Sequence, residues 1–358
     1  MTVLSVRNLS VDYGRNHPTH AVRDVSFDLG RGEVLGIAGE SGCGKSTLAY
    51  AVTRLLRAPA RLVGGTVTFN PDSTEPIDIM ALAGEQLRAF RWRRIAMVFQ
   101  SAMSSLNPVL SVRKQLADIF TAHSPELGRR DVEQRCRELM ELVGIDPARL
   151  SSYPHELSGG MRQRVAIAMA LALRPDVVVM DEPTTALDVV VQWEILGEVN
   201  RLREMFGFAV IFITHDLSLL LEISDRLAIM YAGRVVEQGT ANEILLRPHH
   251  PYTVGLLRSF PSLLGPRRTL RGIPGSPPDL AVRELGCSFA PRCPYSFEPC
   301  RSTRPVLTEV ADSSGSTLAA CLQYDPVARP DGPAPGLRER QFDPSIVEVS
   351  AMPRPARD

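Results

Sequence analysis

The segment Gly39-Glu40-Ser41-Gly42-Cys43-Gly44-Lys45-Ser46-Thr47 has the composition and spacing of a phosphate-binding loop. Its glycines let backbone N–H groups turn inward, its lysine can reach β- and γ-phosphates, and its hydroxyls can ligate Mg²⁺. A second glycine-rich segment, Leu157-Ser158-Gly159-Gly160-Met161, opens an apolar helical stretch. A serine N-cap followed by two glycines leaves N–H groups free to meet an anion. An acidic strand end comes next, Val177-Val178-Val179-Met180-Asp181-Glu182. Consecutive strand residues point to opposite sides, so the simplest division gives Asp181 to a Mg²⁺ shell and Glu182 to an attacking water. One nucleoside triphosphate does not need two glycine-rich cradles, and the surplus demands an explanation. On residue type alone, plainer readings stay open: residues 158–160 as an unliganded helix start, Asp181 and Glu182 as helix caps before Pro183, and Tyr13 and His215 as ordinary structural residues.

Lys45 is one of two lysines, the other being Lys114, among 40 Lys and Arg residues. The chain writes nearly every cation as arginine, and the exception falls where a compact ammonium must sit against phosphate. A length of 358 residues suggests one large domain and a smaller one, and 44% hydrophobic with 22% charged residues is ordinary globular composition. A formal net charge of zero removes the usual electrostatic argument for nucleic acid as a partner. No apolar run approaches the length of a membrane span, and Arg7, Asn8 and Asp12 interrupt any signal peptide. The expectation is a cytosolic chain, or one docked on a membrane through other proteins.

These motifs need a scaffold. Residues 34–38, 95–99, 177–180 and 209–214 are near-continuous apolar runs, as strands buried on both faces require, and they alternate with helical stretches. Residues 3–13 and 21–29 alternate in polarity and suggest an antiparallel β subdomain. Residues 109–150 read as an inserted helical subdomain, most amphipathic over 131–143. A short helix over 241–246, ended by Arg247-Pro248, marks the expected domain boundary. Residues 248–325 are then a small cysteine-containing domain, and 326–358, rich in Pro and Arg, is expected to be disordered.

The order and spacing of these motifs resemble the ATP-binding subunit of an ATP-binding cassette (ABC) transporter over residues 3–245. The resemblance implies an α/β P-loop NTPase cassette over 1–247, with an antiparallel β subdomain and a helical subdomain at about 101–175. It also implies ATP and Mg²⁺ as cofactors. In that family the signature Ser158-Gly159-Gly160 binds the γ-phosphate of ATP held by the P-loop of an opposing subunit, which accounts for the second cradle. The resemblance gives Tyr13 to adenine stacking; Gly39, Ser41, Gly42, Cys43, Gly44, Lys45, Ser46 and Thr47 to the phosphates; and Ser46, Gln100 and Asp181 to Mg²⁺. Asp188 falls in the loop that communicates across the dimer. Glu182, His215 and Lys45 are the implied catalytic set. Cys43 stands where a serine is commoner, and the expectation is that alkylating it blocks nucleotide binding unless ATP is bound first.

Longer phrases are similar to one branch, the oligopeptide/dipeptide importers. They include Phe99-Gln100-Ser101-Ala102-Met103-Ser104-Ser105-Leu106-Asn107-Pro108, His250-Pro251-Tyr252-Thr253 and Ile273-Pro274-Gly275-Ser276-Pro277-Pro278. This likeness implies a heterodimer with a second ATPase subunit, two permease subunits, an extracytoplasmic substrate-binding protein, and a peripheral place at the cytoplasmic face of the membrane. Peptides are the implied cargo, with nickel complexes or oligosaccharides as alternatives. A soluble ABC ATPase of DNA repair or translation is the rival class. Four cysteines, Cys287, Cys293, Cys300 and Cys321, crowd the C-terminal segment with intervals of five, six and twenty residues. No close C-x₂₋₄-C pair favours zinc, and four thiolates without histidine suit an iron–sulfur cluster, although the spacing is not that of a ferredoxin. The branch resemblance implies a 4Fe-4S cluster here, with zinc or no metal as alternatives.

Overall fold

The computed structural model describes residues 1–71, 75–100, 105–185, 187–259, 272–310 and 317–338. Residues 101–104 of the expected permease-facing segment, Ala186, residues 260–271 and residues 339–358 of the expected disordered tail lie outside the described residues.

Twelve strands in two sheets organise the described chain: β1 (Thr2–Tyr13), β2 (Thr19–Gly30), β3 (Val34–Ala38), β4 (Ala60–Phe69), β5 (Ile77–Asp78), β6 (Ile95–Val98), β7 (Val177–Asp181), β8 (Ala209–Ile213), β9 (Arg226–Tyr231), β10 (Arg234–Thr240), β11 (Thr308–Glu309) and β12 (Leu318–Ala319). The smaller sheet is antiparallel, in the order β2-β1-β4-β5, and the larger runs β11-β12-β10-β9-β3-β8-β7-β6. Strands β6, β7, β8, β3 and β9 pair in parallel and make the core of the cassette.

Every residue of β3, β7 and β8 is buried. The twofold period of a strand divides them between two cores. Val177, Val179, Ile211 and Ile213 join Leu35 and Ile37 in packing against the antiparallel sheet and the helix Lys45–Val52. Val178, Met180, Val210 and Phe212 face the opposite core, built with the helices Val112–His123, Arg129–Leu142 and Gly159–Leu171. The strands thus end together at one edge of the sheet, where β3 leads into the P-loop and β7 ends in Asp181.

The sheet does not stop at the boundary expected after Arg247. β12 pairs with β10 through Glu237↔Ala319 and Gln238↔Leu318, and β11 pairs with β12, so the C-terminal segment lengthens the cassette's own sheet. The expectation of a disordered tail is corrected for its first residues: Leu337, in the helix Pro335–Arg338, is buried, the Ala334 N–H donates to Gln323 Oε1 at 3.0 Å, and the Arg329 guanidinium lies over the Phe297 ring. One buried leucine and a few polar contacts hold that stretch despite its proline content.

Just past the same boundary, buried Glu237 accepts hydrogen bonds from the N–H groups of His249 (2.5 Å) and His250 (3.0 Å). Burial depresses the His250 imidazole to about 4, against an opposing effect of Glu237, and its Nδ1 accepts from the Tyr252 N–H at 3.1 Å. The neutral ring is the one the fold favours. Stability contributed by His250 is therefore complete above the ordinary histidine range and lost as pH falls toward about 4. Melting temperatures between pH 7 and pH 5 should drop less steeply in His250→Asn than in the native chain.

Candidate functional site

β3 ends and the helix Lys45–Val52 begins across a turn that only glycine can make. Gly39, Gly42 and Gly44 have φ of 154°, 79° and 106°. A Cβ on Gly44 would lie 2.1 Å from the Ala21 carbonyl oxygen, and one on Gly39 would lie 2.2 Å from that of Met230. The loop therefore lies flush against neighbouring backbone, with Gly44 as the helix N-cap and no side chain capping it. That leaves a helix N-terminus with open N–H groups, an anion cradle by geometry.

Lys45 is only 5% exposed, and its ammonium donates to the carbonyls of Gly39 (2.8 Å) and Glu40 (3.0 Å) and approaches Cys43 Sγ at 3.9 Å. Beside it, Ser46 Oγ donates to Asp181 Oδ1 at 3.0 Å. Asp181 is fully buried, and its Oδ2 has no hydrogen-bond partner among the described residues. Burial pushes its carboxyl upward from the ordinary value, while the Ser46 hydrogen bond works in the opposite direction. A hydroxyl and a buried, under-satisfied carboxylate oxygen side by side are hard oxygen donors of the kind Mg²⁺ takes, so the residues fit that ion. Tyr13, at the end of β1, sets its hydroxyl 3.2 Å from Thr47 Oγ1, which brings an aromatic ring to the mouth of the loop.

Glu182 leaves the strand at a φ of 45°, unusual for a residue with a side chain. Its N–H still donates to the Ile213 carbonyl at 2.8 Å. Glu182 Oε2 accepts from Gln100 Nε2 at 2.9 Å and from Thr185 Oγ1 at 3.0 Å, while His215 Nδ1 lies 3.5 Å from Oε1. Thr185 was not among the residues expected at the site, although a hydroxyl three positions after an acid in a turn is a known reach. Thr185→Val should lower kcat for ATP hydrolysis several-fold with little change in KM, in steady-state assays of the assembled protein.

Other expected residues lie apart from this hydrogen-bonded group. Ser158, exposed, caps the helix Gly159–Leu171 by accepting from the Met161 N–H at 3.2 Å. Asp188 caps the helix Val189–Phe206, accepting from the Val191 N–H at 3.0 Å. Next to Asp188, Val189 and Val190 are each 68% exposed and Trp193 is 37% exposed.

The geometry corrects the expectation for Cys43. Its thiol is 6% exposed beneath Gly39, and burial raises it above the ordinary range despite nearby Lys45. Thiolate is the reactive species, so alkylation should be slow with or without ATP. Comparable slow labelling rates in mass spectrometry would bear this out.

The four C-terminal cysteines converge without forming the expected cluster site. The Cys287 N–H donates to the Cys300 carbonyl at 2.8 Å, and Cys321 feels the charges of Cys287, Cys293 and Cys300. Burial raises Cys287 to about 11 and Cys293 to about 12, and Cys321 higher still. All four are free, and among the described residues no group of three or more His, Cys, Asp or Glu side chains is arranged to hold a metal ion. The expected 4Fe-4S ligand set is thus not supported by the arrangement of the described residues.

A P-loop at the end of a parallel strand, an acidic strand end, a separate Ser-Gly-Gly helix start and an antiparallel side sheet define an ABC-type ATPase. The family description "ABC transporter" matches residues 22–185, and "Oligopeptide/dipeptide transporter, C-terminal region" matches residues 236–300. The chain is 44% identical over 330 residues to the probable peptide ABC transporter ATP-binding protein y4tR of Sinorhizobium fredii, covering 91% of this chain and 96% of that protein. It is 42% identical to the oligopeptide transport ATP-binding protein OppD of Escherichia coli, covering 90% and 93%, and 42% identical to the dipeptide transport ATP-binding protein DppD of Haemophilus influenzae, covering 90% and 95%. Among solved structures it is similar to the ATP-binding cassette MJ0796 in a dimeric post-hydrolysis state bound to ADP and Pi, at 26% identity and a TM-score of 0.58, over 66% of this chain and 98% of that one. The chain belongs to the family of ATP-binding subunits of oligopeptide/dipeptide ABC transporters. No helix among the described residues is long and apolar enough to cross a membrane.

Proposed function

We propose that this chain hydrolyses ATP to energise import of peptides through a membrane complex, working at the cytoplasmic face beside a second, similar ATPase, two permease subunits and an extracytoplasmic binding protein. The observation that carries the catalytic part is that the ends of β3 and β7 place the hydrogen-bonded Ser46–Asp181 pair between the charges of Lys45 and Glu182, with Gln100 and His215 on the Glu182 carboxylate. The printed names of the relatives support the peptide cargo.

Tyr13 offers its ring to adenine, and the P-loop N–H groups with Lys45 hold the phosphates. Ser46, Asp181 and Gln100 would hold Mg²⁺, which would supply positive charge against the phosphates. Glu182 accepts the proton of the attacking water, and Gln100 and Thr185 fix the carboxylate for that step. His215 stands on the other carboxylate oxygen, placed to meet the γ-phosphate. Ser158-Gly159-Gly160, with Ser158 exposed and all three outside this group, complete the site of an opposing subunit rather than their own. The exposed Val189, Val190 and Trp193 beside Asp188 support an apolar contact there, and the dimeric state of the similar cassette MJ0796 supports the same reading.

Tagging the chain in its own cells and identifying what co-purifies from gently solubilised membranes tests the assembly. Two multi-span permeases, a second ATPase and a binding protein are the expected partners. Recovery only from the soluble fraction, with ribosomes or DNA-repair proteins, contradicts it. The same reading assigns Cys287, Cys293, Cys300 and Cys321 to a structural 4Fe-4S cluster, supported by their convergence. Iron and acid-labile sulfide after anaerobic purification decide it; a colourless, iron-free protein ends the assignment.

A further inference from the structure

Glu40 is an acid inside an anion cradle, and the segment after Pro248 holds it from two directions. Its carboxylate receives two parallel hydrogen bonds from Arg292, Nη1 to Oε2 at 2.8 Å and Nη2 to Oε1 at 3.0 Å. Its N–H donates to the Tyr252 hydroxyl at 2.8 Å. Its carbonyl, in turn, is one of the two that anchor the Lys45 ammonium. One residue therefore joins the C-terminal segment to the lysine of the ATP site.

Neither partner is free to drift. The Arg292 side chain is 5% exposed, donates also to the Pro274 and Ile273 carbonyls at 2.8 and 3.3 Å, and lies over the rings of Tyr231 and Phe289. Tyr252 is fully buried, with its ring 4.6 Å from that of Tyr231 and 5.5 Å from that of Phe289. Arg292 and Phe289 both lie between Cys287 and Cys293, so the cysteine segment supplies the clamp.

We propose that Arg292 and Tyr252 are positioning residues for nucleotide binding: they draw the Glu40 carboxylate out of the phosphate cradle, neutralise it, and fix the loop on which Lys45 rests. The inference rests on the ATP-site reading given above. Its physical core is a sign. An unpaired carboxylate next to Gly39 repels incoming phosphates at short range, in surroundings less polarisable than water. A bidentate guanidinium cancels that repulsion and sets its direction. Removing Arg292 therefore harms binding through what Glu40 does afterwards, and removing the charge of Glu40 as well should relieve the harm.

The test is steady-state ATP hydrolysis by the assembled complex, with melting temperature followed in parallel. Arg292→Ala should raise KM for ATP about tenfold while kcat at saturating ATP changes less than about twofold. Adding Glu40→Gln to Arg292→Ala should bring KM back to within about threefold of the native value. Tyr252→Phe, which removes one hydroxyl from a packed ring, should raise KM about threefold and leave kcat alone. A clamp that merely glued the segments together would lower the melting temperature, and Glu40→Gln would not rescue KM. Unchanged KM in Tyr252→Phe and no rescue in the double variant would overturn the proposal. A native complex that neither binds nor hydrolyses ATP would instead overturn the site reading beneath it.

Discussion

Glu182→Gln should bind ATP with near-native affinity and lose turnover by about 10²- to 10³-fold, the scale of a lost general base. The substitution keeps the shape of the side chain but removes its basicity. The local pairing survives it: Gln100 and Thr185 both donate to Oε2 of Glu182, and an amide oxygen in that place accepts the same two hydrogen bonds, so the loss isolates basicity. Binding should survive because Lys45 and Ser46 are positioned by contacts to Gly39, Glu40 and Asp181 rather than to Glu182. Nucleotide binding by equilibrium titration, together with phosphate release, separates the two effects. A variant with unchanged turnover would remove Glu182 from its role.

Lys45→Arg should reduce ATP affinity by about 10²-fold, although the charge is kept. The chain uses arginine for almost every other cation, so this substitution asks whether Lys45 is a matter of habit or of chemistry. Its ammonium occupies a nearly closed space, 2.8 and 3.0 Å from two loop carbonyls, with Cys43 at 3.9 Å. A planar guanidinium is larger, needs its donors spread in a fork, and cannot fit the same point without displacing the loop. Near-native affinity in Lys45→Arg would show that the loop tolerates rearrangement and that charge alone suffices.

The strands that carry the site were legible because burial on both faces leaves an unbroken apolar run. Residues 34–38 and 177–180 read as strands for that reason, and their ends locate the P-loop and the acid pair. β4 leaves no such run because Arg61 and Gly64-Gly65 interrupt its alternation, half of its residues are exposed, and only Val67 and Phe69 at its end are buried, the rest being held by pairing with β1. The continuation of the large sheet into β11 and β12 rests on two-residue strands, too short to leave a period. Arg292 and Glu40 meet across 252 positions, and no local pattern in one sequence announces such a contact. Cys43 was read from its position in the loop, which shows that a thiol is present but not that Gly39 and the loop close over it.

The most direct test of the central claim is ATP hydrolysis and labelled-peptide uptake by the purified complex in sealed proteoliposomes, before and after adding binding protein loaded with peptide to the outside. ATP turnover should rise on that addition, uptake should depend on ATP on the side where this chain sits, and Glu182→Gln in this chain should abolish uptake. ATP turnover indifferent to loaded binding protein, with no peptide retained in the vesicles, would contradict the account.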